Sequence, residues 1–239
     1  MTTLLFDPQR LPDTAADSLA KDLGQFAQLE ARLVELRHQL ATLPESTGEH
    51  ERAGLQLELA RALQVLGRGA EAWPVGRMAF DALATAEDWE RAADACDVLY
   101  QTEQAGSLAA LGQGIWLGVT FPIDPEISVH LLSHVVDDTP DDADGAAVAA
   151  ATAAFLADLR APQGLDRDRL VFFANQLLGR VARRHGQVAD QEAFDRWVRR
   201  LELDEPDKFL VRLRNVVDVL VQDDWWIDRD AIQSRLTVD

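Results

Sequence analysis

Residues 52–104 read RAGLQLELARALQVLGRGAEAWPVGRMAFDALATAEDWERAADACDVLYQTEQ, and the spacing of their apolar side chains decides the fold class. Leu55, Leu59, Ala62, Leu63 and Leu66 recur three and four apart. Ala72, Trp73, Met78, Ala79, Phe80 and Leu83 follow the same spacing, and so do Trp89, Ala92, Ala93, Cys96 and Leu99. That period belongs to helices that each bury one stripe. The breaks at Gly67-Arg68-Gly69 and Ala86-Glu87-Asp88 are short, so consecutive helices are expected to lie antiparallel and side by side. Pro74 and Gly76 fall inside the second helix, where proline removes a backbone hydrogen bond and both residues weaken the element.

Leu59-Ala60, Gly67, Ala72 and Ala79, followed by the turn Asp88-Trp89-Glu90-Arg91-Ala92, make this stretch resemble a tetratricopeptide repeat. Leu59-Ala60 stands where that family keeps a Leu-Gly pair, Gly67 at the turn, and Ala72 and Ala79 at the small positions of the second helix. The turn at Asp88 places Ala92 only 20 residues after Ala72, against a family period of about 34. The resemblance covers these residues alone. It implies an α-helical-hairpin stack with a concave groove, and in its register Arg61 and Gln64 face that groove. Protein–protein interaction is the function it implies.

Composition points the same way. Hydrophobic residues make up 47% of 239, rich in Ala and Leu with a single Tyr, which favours an all-α fold over a sheet. The net charge of −18 sets the chain against phosphate backbones and anionic membranes, so nucleic acid is not an expected partner. Residues 1–144 carry 9 basic and 25 acidic side chains, and residues 145–239 carry 14 and 16. That asymmetry fits either a solvated surface or an acidic face that steers toward a basic partner. Cys96, the only cysteine, lies on an apolar stripe and reads as a buried, inert thiol. No stretch approaches the ~18 apolar residues needed to cross a bilayer, and MTTLLFDPQRLPD lacks a basic leader. The expected setting is cytoplasmic.

Outward from the core stretch, three segments are expected: an extended arm and long amphipathic helix at 1–44, the hairpin stack at 45–161, and a C-terminal helical subdomain at 165–239. The arm, residues 1–14, carries Leu4, Leu5, Phe6 and Leu11 between prolines and docks on its own body or on a partner. Leu29, Leu33, Leu36, Leu40 and Leu43 alternate spacings of four and three. They suit the first helix of the bundle, or alternatively the seam of a homodimer. Gly112, Gly114 and Gly118 do not match a dinucleotide loop, because a helix precedes them and the third glycine is one position late. They are expected to let helices approach closely. DDTPDDADG fails as a calcium loop, since Pro140 and Ala151 occupy positions that need acids. Its expected role is to start a helix at Pro140, capped by Thr139 or an Asp, that carries an alanine-rich segment into the centre of the stack.

Pro162-Gln163-Gly164 is the expected boundary, with helices at about 166–185, 190–203 and from 206 onward beyond it. Arg180, Arg183, Arg184, Arg196, Arg199 and Arg200 fall on the first two, either paired to neighbouring acids or forming a surface for an anionic partner. In the tail, adjacent Trp225 and Trp226 diverge by about 100° if helical, which suits core packing or a binding hot spot.

Candidate chemistry is sparse. His130 and His134 are four apart and share a helical face, with Asp137 or Asp138 one turn on. His130, His134 and Asp138 could contribute to a metal site, although a ligand from another element is needed, and no cofactor is expected. The expected function is a noncatalytic interaction protein (an adaptor, assembly factor or accessory subunit) that recognises another protein with a basic surface, with Arg61, Gln64, Trp225 and Trp226 as candidate contacts. The alternatives are a metalloprotein centred on the histidine pair and a self-assembling helical protein.

Overall fold

The computed structural model describes residues 14–236, with side chains from residue 24 onward. The arm expected at 1–14 lies outside the described residues but for Thr14. Eleven helices and no strand occupy the described residues. They are α1 (Thr14–Thr42), α2 (Glu49–Val65), α3 (Gly69–Thr85), α4 (Trp89–Tyr100), α5 (Ser107–Thr120), α6 (Pro125–Asp138), α7 (Asp144–Arg160), α8 (Leu165–Gly186), α9 (Gln191–Arg200), α10 (Pro206–Val221) and α11 (Arg229–Gln233). The protein is an all-α stack of helical hairpins. Alternate helices α2, α4, α6 and α8 touch in sequence and form one layer, while α3, α5 and α7 return between them. The first helices begin at Glu49, Trp89, Pro125 and Leu165, so each two-helix unit spans 36 to 40 residues. The 20-residue step from Ala72 to Ala92 is thus half a unit, because one alanine opens the second helix of a hairpin and the other opens the first helix of the next.

The turns that set this geometry are local. At the end of α2, Arg68 N–H donates to Leu63 C=O at 2.8 Å and Gly67 N–H to Gln64 C=O at 2.9 Å, with Gly67 left-handed at φ 72°. The end of α3 repeats the pattern, with Asp88 N–H bonded to Leu83 C=O at 3.0 Å and Glu87 at φ 58° in the glycine position. This paired closure satisfies two carbonyls that the helix end leaves open. Asp88 then caps α4, its side chain accepting from Arg91 N–H at 3.2 Å.

Pro74 does not break α3. It sits in the second turn, where it forfeits one backbone bond. Gly76 contributes by its size: a Cβ there would meet Leu99 Cδ2 at 3.0 Å and Ala60 Cβ at 3.4 Å, so its absence lets α2, α3 and α4 close together. The glycines of α5 act similarly. A Cβ on Gly112 would lie 2.4 Å from Val221 Cγ2 of α10, and one on Gly114 would lie 2.8 Å from Cys96 Cβ of α4 and 3.0 Å from Leu131 of α6. Close helix approach, as expected, is what these residues permit.

Leu33 and Leu36 of α1 are buried with Leu59, Leu63 and Ala72, and Leu40 packs beside them. The leucine seam therefore docks on α2 and α3 as the first helix of the bundle. The alanine-rich α7 is buried along nearly its whole length, at the centre of the stack. It starts at Asp144 rather than Pro140, and residues 140–143 form a turn. Thr139 is committed to closing α6, its hydroxyl donating to Val135 C=O at 2.6 Å. Across Pro162-Gln163-Gly164 the core is continuous: α8 packs on α7, and α10 packs across α5 and α7. Phe209 meets Phe155 edge-on, with ring centroids 5.8 Å apart.

Candidate functional site

Part of the polar surface of α2, α4, α6 and α8 lines three adjoining concavities, of about 420, 400 and 560 Å³. The first two share Arg61 and Asp94, and the second and third share Asp124, Glu126 and His130. Arg61 and Gln64 both line the middle concavity. Arg61 donates to Asp94 across the groove, and Arg167 is committed to the end of α7, bonding Asp158 C=O at 2.7 Å and Ala161 C=O at 3.2 Å. Lining carboxylates outnumber guanidiniums seven to four, which leaves the groove acidic. Its α8 end is apolar in part, with Val129, Leu170 and a half-exposed Phe173.

His130 and His134 do share a face of α6, their rings 4.8 Å apart. The carboxylate that meets them is Asp97 of α4, not Asp138. His134 Nε2 lies 2.8 Å from Asp97 Oδ1 and His130 Nε2 lies 3.7 Å from it. Asp97 is 5% exposed, and its second oxygen accepts from Gln101 Nε2 at 2.7 Å. A buried carboxylate is costly without partners. No Arg or Lys forms an ion pair with Asp97 among the described residues, so imidazole and amide are its neighbours. Asp138 accepts instead from the Tyr100 hydroxyl, and the Tyr100 ring leans on His134 with centroids 4.6 Å apart. Burial and that donated hydrogen bond, reinforced by the charges of Asp138, Asp137 and Glu103, hold the Tyr100 phenol well above its ordinary pKa.

Asp97 escaped the sequence reading because it sits beside Cys96 on a helix whose stripe was drawn through Ala92, Ala93, Cys96 and Leu99. In the fold the run Ala95–Leu99 is buried at every position, so the acid within it must find a partner, a demand that the sequence alone does not display. Cys96 is fully buried and burial pushes its thiol pKa up, which keeps it inert.

Trp225 and Trp226 lie outside the groove and outside any helix, between α10 and α11. Trp226 meets Phe80 and Trp73 edge-on, at 5.1 and 6.1 Å between centroids, with the Arg77 guanidinium 4.1 Å above its ring. Trp225 meets Trp116 edge-on at 6.3 Å, under the Arg229 guanidinium at 3.6 Å. Both rings are half-buried and packed on the core rather than free on the surface. The arginines of α8 and α9 are paired in part: Arg180 with Asp137 at 2.6 Å, Arg184 with Asp141 at 3.7 Å, and Arg196 with Glu192. No described helix is long and apolar enough to cross a membrane. Comparison with protein-family models, curated proteins and solved structures finds no match to this chain.

Proposed function

We propose that the protein is a noncatalytic interaction scaffold of tetratricopeptide-like build, whose groove takes an extended segment of a basic partner protein. The observation that carries this reading is the excess of carboxylates over guanidiniums, seven to four, along three adjoining concavities. Such a face attracts Lys and Arg side chains, speeds encounter and rejects acidic competitors. The apolar end at Leu170 and Phe173 offers an anchor point for one hydrophobic side chain of the same segment. The protein then serves as an adaptor, assembly factor or accessory subunit, and a cytoplasmic setting fits that reading.

The test is cross-linking capture compared across variants. A stoichiometric partner should be recovered with the unaltered chain and lost with Glu126→Lys combined with Asp166→Lys, which reverse two charges in the groove. Asp204→Lys combined with Asp223→Lys, an equal reversal at two exposed residues outside the groove, should leave capture unchanged. Capture indifferent to the groove reversals, or to added salt, removes the proposal.

A further inference from the structure

We propose that Asp97, His130 and His134 form a binding site for one divalent transition-metal ion of borderline hardness, for which Zn²⁺ is the best match. Their three ligand atoms lie within 4.8 Å of one another. Two histidines four apart on a helix present both Nε2 atoms to the same point, and Asp97 supplies the ligand from a second helix that such a pair needs. Tetrahedral zinc with bonds of ~2.0–2.1 Å separates its ligands by ~3.3 Å. The Asp97–His134 and Asp97–His130 separations of 2.8 and 3.7 Å straddle that distance. The two histidine nitrogens lie within 4.8 Å of each other, so side-chain rotations that draw the imidazoles together admit an ion. Two imidazole nitrogens and one carboxylate suit zinc and its first-row neighbours, whereas calcium and magnesium demand oxygen-rich shells.

The surroundings fit a built site. Gln101 Nε2 holds the far oxygen of Asp97 at 2.7 Å, which orients the carboxylate toward the histidines in the manner of an outer-shell partner. Exposure is graded: Asp97 and His134 side chains are 7% and 16% exposed, and His130 is 55% exposed. His130 and Asp97 both line the groove, so the remaining coordination positions face the groove, where water or an incoming ligand completes the shell. A site with three protein ligands and an open side is the form that exchanges ligands, as distinct from a closed structural site. The inference does not depend on the groove having a protein partner.

The test uses the full chain with no affinity tag, stripped with a chelator and titrated with Zn²⁺ by calorimetry and against a chromophoric chelator. One equivalent should bind, with Mg²⁺ and Ca²⁺ failing to compete, and Co²⁺ should give a visible absorption band at the same stoichiometry. His130→Ala, a change at a half-exposed position that the fold tolerates, should weaken Zn²⁺ binding ~100-fold or more and abolish the Co²⁺ band. A triple variant with His38→Ala, His50→Ala and His185→Ala should keep both. Absence of saturable binding overturns the proposal. So does one equivalent that survives His130→Ala and His134→Ala but is lost in the triple variant.

Discussion

The Tyr100 hydroxyl and the Asp97 carboxylate lie one helical turn apart on α4 and reach two different groups on α6. Tyr100 is the single tyrosine of the chain, so its ionisation can be followed alone. Its raised pKa means that the neutral phenol is favoured in the folded state. The associated stability is complete below the ordinary tyrosine pKa of ~10 and is lost as pH rises through the higher folded value. Ultraviolet titration should therefore show no tyrosinate near pH 10 in the folded protein. Asp138→Asn, which removes the charge while keeping an acceptor, should bring the transition down toward the ordinary value; an unmoved curve would show that Asp138 does not act on the phenol. The pairing of His130 with His134 was legible in the sequence. Its carboxylate partner was not, because spacing along one helix says nothing about which neighbour supplies the third group.

At the scale of elements, several helix ends are closed by arginines of a later helix. Arg160 donates to the carbonyls of Gly118, Val119 and Phe121 at 2.6, 2.7 and 2.8 Å, closing α5 from the end of α7. Burial lowers the pKa of its guanidinium from the usual arginine value, the cost of placing a cation there. The helix end supplies the compensation, since its open carbonyls carry partial negative charge. Arg167 does the same for α7, Arg184 for α6 through Val136 C=O at 2.6 Å, and Arg212 for α9 through Leu201 C=O at 2.6 Å. None of α5, α6 and α7 ends in the left-handed turn that closes α2, and their terminal residues are extended. Arg160→Ala is accordingly expected to destabilise the fold by about 2–3 kcal/mol, by stranding carbonyls rather than by deleting a surface charge. Arg160→Lys, whose three N–H donors radiate from a single nitrogen where the guanidinium reaches the carbonyls from two, should recover only part of it. Chemical denaturation of the two variants reads both values. A near-neutral Arg160→Ala would mean that water replaces the guanidinium without cost.

Across the whole molecule, the tail ties the C-terminal helices to the first hairpins. Gln113 is fully buried in α5, and its side-chain oxygen accepts from Trp226 N–H at 2.8 Å, 113 residues later. Trp226 then fills the space between Trp73 and Phe80 of α3, and Val217 and Val221 of α10 cover Gly112. One buried cluster runs from Ala53 to Ile232, with a smaller one under α1 that meets it at Val75. Helices α2 to α11 should therefore unfold in a single calorimetric transition, and a chain ending at Gly164 should fail to give one, because α5 and α7 lose the face that α10 covers. A sharp transition in that truncated chain would establish the Pro162-Gln163-Gly164 break as a true domain boundary. Helix α1, held by Leu33, Leu36 and Leu40 over the smaller cluster, should exchange its amide hydrogens ahead of the rest.

Helix existence, turn positions and the close-packing role of the α5 glycines follow from sequence alone, since apolar period, turn chemistry and side-chain volume act over a few residues. Arg61 and Gln64 line a concavity between α2, α4 and α6, a position that depends on how those helices are stacked. What only the tertiary structure decided was the set of partners that meet across long separations: Asp97 with the histidines, Arg160 with the end of α5, Gln113 with the tail. Each joins a side chain to an acceptor or donor whose need arises from burial. Burial is a property of how helices are stacked, not of the order in which they are strung.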